Sequence, residues 1–267
     1  MDELYFLVEV FDRVDLFLLI LVRLIGFFTI LPIITGANIP GIIRMALSVG
    51  FAFMVYTSGL YGEVHIMFND SMIAFFFMVI IEFAIGFTMA YVVYMIFATL
   101  YIVGQFMDNA IGFNMVSVMD PAGTMQAPVT GNLLYLMSMV LLIQTGGLHR
   151  ILGAFFSGFS FAPIGTVRIF DQYAMFMYII ELFMHLFVMG MQIAMPIVGA
   201  ILLINTALGM LVKASPQMNI FVVGIPLRIL LGILLFFALM PIFGGVYHVL
   251  LDVTMDTLTQ IIIFLSS

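Results

Sequence analysis

Between Met72 and Gly104 the chain runs for 33 residues with one acid or base, Glu82. As a helix rising 1.5 Å per residue that run is about 50 Å long. It overshoots a hydrocarbon core of roughly 30 Å, so it must tilt or project beyond lipid against other protein. The rest of the chain agrees with this segment. Only 14 acids and 7 bases occur among 267 residues, 65% are apolar, and the mean hydropathy is +1.30. A soluble domain carries about 25% charged residues, and so few charges cannot cover a water-facing surface. A cytosolic enzyme, a nucleic-acid binder and a disordered chain are excluded together. The expected fold class is an all-α integral membrane protein, because helices satisfy their own backbone polar groups in lipid.

Seven helical segments are expected. The first covers 16–34 and ends near Pro32, with Gly36, Asn38 and Pro40 marking a turn. The acids Asp2, Glu3, Glu9, Asp12 and Asp15 precede it against Arg13 alone, opposite to the basic start of a signal peptide. It is therefore expected to be a retained membrane segment. The second, 45–61, is short for a span, and 72–104 is the third. A fourth is split into 132–144 and 151–162 around Gly146, Gly147, His149 and Arg150. The fifth is 174–212, interrupted by Pro196; 220–243 and 246–265 complete the set. With seven bases the positive-inside rule has little to count. Placing Arg44 and Lys213 in the cytoplasm puts the N-terminus outside and the C-terminus inside. One membrane-embedded domain, 1–267, is expected.

Residues 105–131 read differently. Asp108, Gly112, Asp120, Pro121, Gly123, Pro128 and Gly131 interleave with Phe106, Met107, Phe113, Met115, Met119 and Met125. An irregular apolar segment is tolerated at membrane depth only where protein buries it or where it lines a cavity. The expectation is a long functional loop.

Chemistry is sparse. Phosphate loops, zinc-protease helices and nucleophile elbows are absent. The histidines His65, His149, His185 and His248 show no metal-ligand spacing. No enzyme activity, metal or cofactor is expected, and no basic run invites nucleic acid. Ionisable residues inside apolar runs remain, each costly there. Arg23 lies mid-run and must face protein or water. Glu82 precedes Gly86 and Ala90 at i+4 spacings, a small-residue face for close helix packing. Arg228, two residues after Pro226, is a possible partner for a buried acid. Glu181 and His185 share a helix face near Gln192; an interhelical or intersubunit pair is favoured over a proton relay. Over-long helices with polar side chains inside them imply an oligomer.

Several stretches resemble the FliR family of flagellar export-gate subunits. They are Leu21-Val22-Arg23-Leu24-Ile25-Gly26-Phe27-Phe28, Asn38-Ile39-Pro40 with Arg44, Glu82-Phe83-Ala84-Ile85-Gly86-Phe87, and Asp120-Pro121 before Pro128-Val129. The strongest runs from Ala194-Met195-Pro196 through Lys213-Ala214-Ser215-Pro216-Gln217-Met218-Asn219 to Gly224-Ile225-Pro226-Leu227-Arg228-Ile229-Leu230-Leu231-Gly232. Order and spacing cover nearly the whole chain. Arg228 stands where the family commonly has lysine, and the central loop is unusually rich in methionine.

The resemblance implies a structural and gating subunit of the flagellar type III export channel, passing unfolded export substrates across the bacterial inner membrane. It implies FliP and FliQ as partners in a helical multi-subunit channel, FlhB at the cytoplasmic mouth, contact with membrane lipid, and protrusion toward the periplasm. On it, residues 106–125 become the channel plug, with Phe106, Met107, Phe113, Met115, Met119 and Met125 as gasket and Gly112 and Gly123 as hinges. Residues 197–243 become a FliQ-like hairpin whose turn offers Lys213, Pro216, Gln217 and Asn219 to FlhB. The alternatives are an injectisome export-gate subunit and a stand-alone solute transporter. Broken helices suit the transporter, but no inverted repeat is visible.

Overall fold

The computed structural model describes residues 14–36, 39–61, 72–113, 128–165, 172–215 and 220–266. The described residues are almost all helical, in eight helices with short turns between some of them, and none is in a strand. They are α1 Val14–Ile30, α2 Pro32–Gly36, α3 Gly41–Ser58, α4 Met72–Ile111, α5 Val129–Gln144, α6 Gly147–Phe161, α7 Gln172–Ala214 and α8 Ile220–Ser266. Four helices are long and apolar enough to cross a membrane, or five if the pair α5 and α6 forms one broken span.

The three longest helices contain 40, 43 and 47 residues, or about 60–70 Å at 1.5 Å per residue. Each is roughly twice the thickness of the hydrocarbon core. Two sequence expectations change here. Pro196 does not divide α7, and Gly244-Gly245 does not end the run before it, so 220–243 and 246–265 are one helix. Proline inside a membrane helix removes one hydrogen bond, and neighbouring groups can re-satisfy the freed carbonyl. The expected break at Gly146–Gly147 is present: α5 ends at Gln144, and Thr145 and Gly146 separate it from α6.

The chain divides into two compact units. One comprises 1–96, 146–180 and 252–267; the other comprises 97–145 and 181–251. In the first, α1 and α3 run antiparallel. Phe28 stacks on Phe51 at 5.3 Å, and Phe17 meets Tyr56 edge-on at 6.1 Å. Glycine closes the crossing of α1 with α4. A Cβ on Gly86 would lie 1.9 Å from the Arg23 carbonyl oxygen, and one on Gly26 would lie 2.5 Å from that of Phe83. Phe27, Phe155 and Phe159 fill the core beside this crossing, with Phe27 and Phe155 stacked at 3.9 Å.

The second unit repeats the device. A Cβ on Gly104 of α4 would lie 2.0 Å from the backbone nitrogen of Gly131 on α5. Farther along, Thr145 and the Tyr247 hydroxyl hydrogen-bond at 2.5 Å, tying the end of α5 to α8. Without a hydrophobic force between helices in lipid, such close backbone approach supplies the packing that holds them.

Gly86→Ala should therefore separate α1 from α4 and lower the thermal midpoint of the detergent-purified protein, since forced overpacking costs about 1–3 kcal/mol. Gly50 faces open space on α3, and Gly50→Ala should leave the midpoint unchanged or raise it, by about 0.5–1 kcal/mol of helix propensity. Equal midpoints for the two variants would contradict the glycine-closed crossing.

Candidate functional site

Two buried acids on α4 organise the two units, one in each. Arg23 and Glu82 lie 59 residues apart in sequence and are 2% and 1% exposed. The Arg23 Nε donates to Glu82 Oε2 at 2.5 Å, the pair's only partners in charge among the described residues being each other. Arg23 Nη1 donates to the carbonyl of Ala162 at 3.0 Å, and its Cζ lies 4.7 Å from the Phe159 ring centre. Glu82 Oε1 accepts the Gly165 N–H at 3.1 Å. Gly165 takes a φ of +77° to present that N–H, a conformation costly for other residues. The cluster thus joins α1, α4 and the chain leaving α6. Ala162 is the C-cap of α6, so the guanidinium also meets the negative end of that helix dipole.

Burying this pair costs several kcal/mol per ion before the mutual attraction is counted. The arrangement therefore holds only if the hydrogen bonds form together. Gly26 and Gly86 make that possible, because Gly86 sits one turn from Glu82 and lets α1 lie directly on α4.

Asp108 is the second acid, with no exposed surface. Its carboxylate accepts the backbone N–H of Thr130 at 3.2 Å and also bonds the Thr130 hydroxyl. Helix α5 begins at Val129 after Pro128, which offers no side-chain cap, so Asp108 caps α5 from another helix. Its carbonyl meanwhile accepts the N–H of Gly112 at 2.9 Å and of Phe113 at 3.1 Å. Gly112 has φ +98°, and the Phe113 bond spans six residues, as in a glycine-terminated helix end. One residue thus terminates α4 and starts α5. Beside it lies an apolar cleft of 350 Å³ walled by Ile111, Phe113, Val129, Leu133, Ile233 and Phe236.

The span 105–131 is accordingly corrected at both ends. Residues 105–111 continue α4, and 129–131 open α5, because Asp108 satisfies the backbone groups at each end. Phe106 is a half-buried helix residue, edge-on to Phe187 at 6.1 Å, and Met107 is wholly buried. Met107 packs α4 within its own chain. Phe113 lines the cleft and Gly112 ends the helix. Met115, Met119, Met125 and Gly123 lie outside the described residues.

Arg228 is half-buried and its Nε donates to Gly224 O of its own helix at 3.4 Å. It pairs with no described acid; the carboxylate of Glu82 is already taken by Arg23 and Gly165. Glu181 and His185 are both exposed on α7, with no hydrogen bond between them, and Lys213 is exposed in its last turn. Pro216, Gln217 and Asn219 lie outside the described residues. Sequence reasoning missed the Asp108 cap and the Gly104–Gly131 contact. The available signal was a glycine four residues from an acid, the same spacing as Glu82–Gly86 in reverse.

Over-long apolar helices, ionisable groups sequestered between them and wide exposed apolar faces define an all-helical integral membrane protein. The sequence model described as "Bacterial export proteins, family 1" matches residues 14–253. The chain belongs to that family. It is 27% identical over 262 residues to the flagellar biosynthetic protein FliR of Bacillus subtilis, covering 95% of this chain and 97% of the relative. It is 24% identical over 241 residues to FliR of Escherichia coli, covering 87% and 90%. The surface presentation of antigens protein SpaR of Shigella flexneri is 26% identical over 233 residues, covering 85% and 87%.

Glu82→Ala should lower stability by about 3–5 kcal/mol by stranding a buried cation, and Arg23→Met with Glu82→Leu should recover much of it. Thermal unfolding of the purified proteins checks both; a double variant no better than the single one would refute the coupling. For Asp108, hydrogen–deuterium exchange is the readout. Asp108→Leu should speed exchange in the first turn of α5, because an unsatisfied buried donor costs about 1–3 kcal/mol, while Asp108→Asn keeps an acceptor and should change it less.

Proposed function

We propose that this chain is the FliR-type structural and gating subunit of a flagellar type III protein export channel, passing unfolded flagellar proteins across the bacterial inner membrane. The observation that carries the reading is the family match over 14–253 together with FliR relatives aligned over nearly their whole length. The architecture supports it. Helices twice the thickness of the hydrocarbon core, and residues such as Leu203, Met210, Val222 and Leu234 more than 60% exposed along them, call for lateral neighbours beyond lipid.

FliP- and FliQ-type subunits are the proposed neighbours, with an FlhB-type partner at the cytoplasmic mouth near Lys213 and Pro216–Asn219. The FliQ-like unit, 197–243, would be built from the second half of α7 and the first half of α8. The assembly would protrude toward the periplasm. The gasket is proposed for Phe113 with Met115, Met119 and Met125, flexible side chains that conform to a changing surface. Gly112 and Gly123 are its proposed hinges, and Asp108 anchors its roots on α4 and α5. The chain itself is proposed to carry no catalytic step. An injectisome export gate is the second reading, favoured by the SpaR relatives.

The test is native mass spectrometry of the tagged chain expressed with and without FliP- and FliQ-type proteins from the same genome. A single tagged copy in a large mixed complex is the expected result. A homogeneous monomer or homodimer indifferent to those proteins would overturn the reading. Rescue of swimming in a FliR-deleted host, with no rescue of injectisome secretion, would separate the flagellar reading from the second one.

A further inference from the structure

Helix α7 exposes ionisable side chains where its composition calls for none. From Tyr173 to Ala214 it is long and apolar enough to cross a membrane, yet Glu181, His185 and Gln192 are all exposed. At about 100° per residue these three fall within about 40° of one another on the helix surface. They form one edge beside the strip Leu182, Leu186 and Gly190, which is buried within the chain. Phe183, exposed on the opposite side, continues an apolar surface.

Glu181 is the tenth of 43 residues of α7 and sits among apolar neighbours on an exposed face. An acid held against lipid there would be costly, so this edge calls for a matching surface. No described base pairs with Glu181. Lys213 is 32 residues farther along the same helix, about 48 Å away. Arg23 is committed to Glu82, and Arg228 to its own helix. A second copy of the chain fits poorly. Two copies inserted in the same sense would lay their α7 helices parallel, bringing Glu181 toward Glu181 and His185 toward His185.

We propose that the Glu181–His185–Gln192 edge of α7 is a docking surface for a membrane helix of a different subunit, one carrying a lysine or arginine opposite Glu181 and a hydrogen-bond acceptor within reach of His185. The pairing fixes the rotation and depth of α7 against its neighbour. Apolar faces alone do not fix these, because they can slide. The inference rests on the export-channel reading for the existence of an unlike neighbour.

The chain contains no cysteine, so a single Gln192→Cys or Phe183→Cys can be modified cleanly in membranes holding the assembled complex. A benzophenone maleimide attached at 192 should crosslink to a peptide of another subunit that contains a lysine or arginine; attached at 183 it should not reach that peptide. Glu181→Lys should reduce the co-purified partner about tenfold or more, as expected when a buried interfacial charge is mismatched. Exchanging the identified base for glutamate should restore it. Crosslinks from 192 to lipid or to a second copy alone, or retention within about twofold in Glu181→Lys, would overturn the docking surface while leaving the wild-type mixed complex intact. Failure of the wild-type chain to enter any mixed complex would remove the export-channel reading, and this inference with it.

Discussion

A guanidinium and a carboxylate buried together impose an all-or-none condition on the first unit. Either ion alone in that interior would cost more than most single substitutions. Both must therefore arrive with their hydrogen-bond partners, which lie on three separate pieces of chain. Arg23 comes from α1, Glu82 from α4, and the Ala162 carbonyl and Gly165 N–H from the segment after α6. Gly26 and Gly86 are subordinate to this condition. A side chain at either position would hold α1 away from α4 and open the distance over which the two charges meet.

Helix α4 applies the same solution twice. Glu82 and Gly86, then Gly104 and Asp108, pair an acid with a glycine one turn away. In each case the glycine admits another helix backbone, and the acid bonds main-chain donors that helix geometry or a turn leaves free. The logic suits a chain with few polar residues. Aqueous helices are capped by water and by their own first residues; a helix that starts inside an apolar body must import a cap. Pro128 cannot supply one to α5, so Asp108 does so from α4.

Much of this architecture was readable in advance, and the exceptions have physical causes. Membrane class followed from charge density alone. The importance of Arg23 and Glu82 followed from their expense in apolar runs, but their pairing did not, because nothing local links positions 59 residues apart. The break near Gly146 was legible, since two glycines punctuate otherwise continuous apolar periodicity. Pro196 and Gly244-Gly245 were misleading. In water they would interrupt helices; within an apolar surrounding the alternative of exposed backbone is worse, and α7 and α8 continue through them. Residues 105–111 looked irregular for a related reason. Asp108 and Gly112 resemble loop residues, yet here they are the cap of the next helix and the terminator of their own.

Exposure on the isolated chain then has a consistent meaning. The polar groups that α4 carries are matched inside the chain, so its acids are buried. Helix α7 carries Glu181 and His185 unmatched and exposed, whereas Glu82 and Asp108 on α4 have ionic or main-chain partners. Lipid cannot satisfy either group, whereas an unlike helix can satisfy both and fix the rotation of α7 in doing so. Helices longer than the membrane leave wide apolar faces for neighbours, but such faces bind in many registers. A single charge on such a face removes that degeneracy, because every register but one leaves it unpaired. The same physics that locks α1 onto α4 within the chain would then select the neighbour outside it.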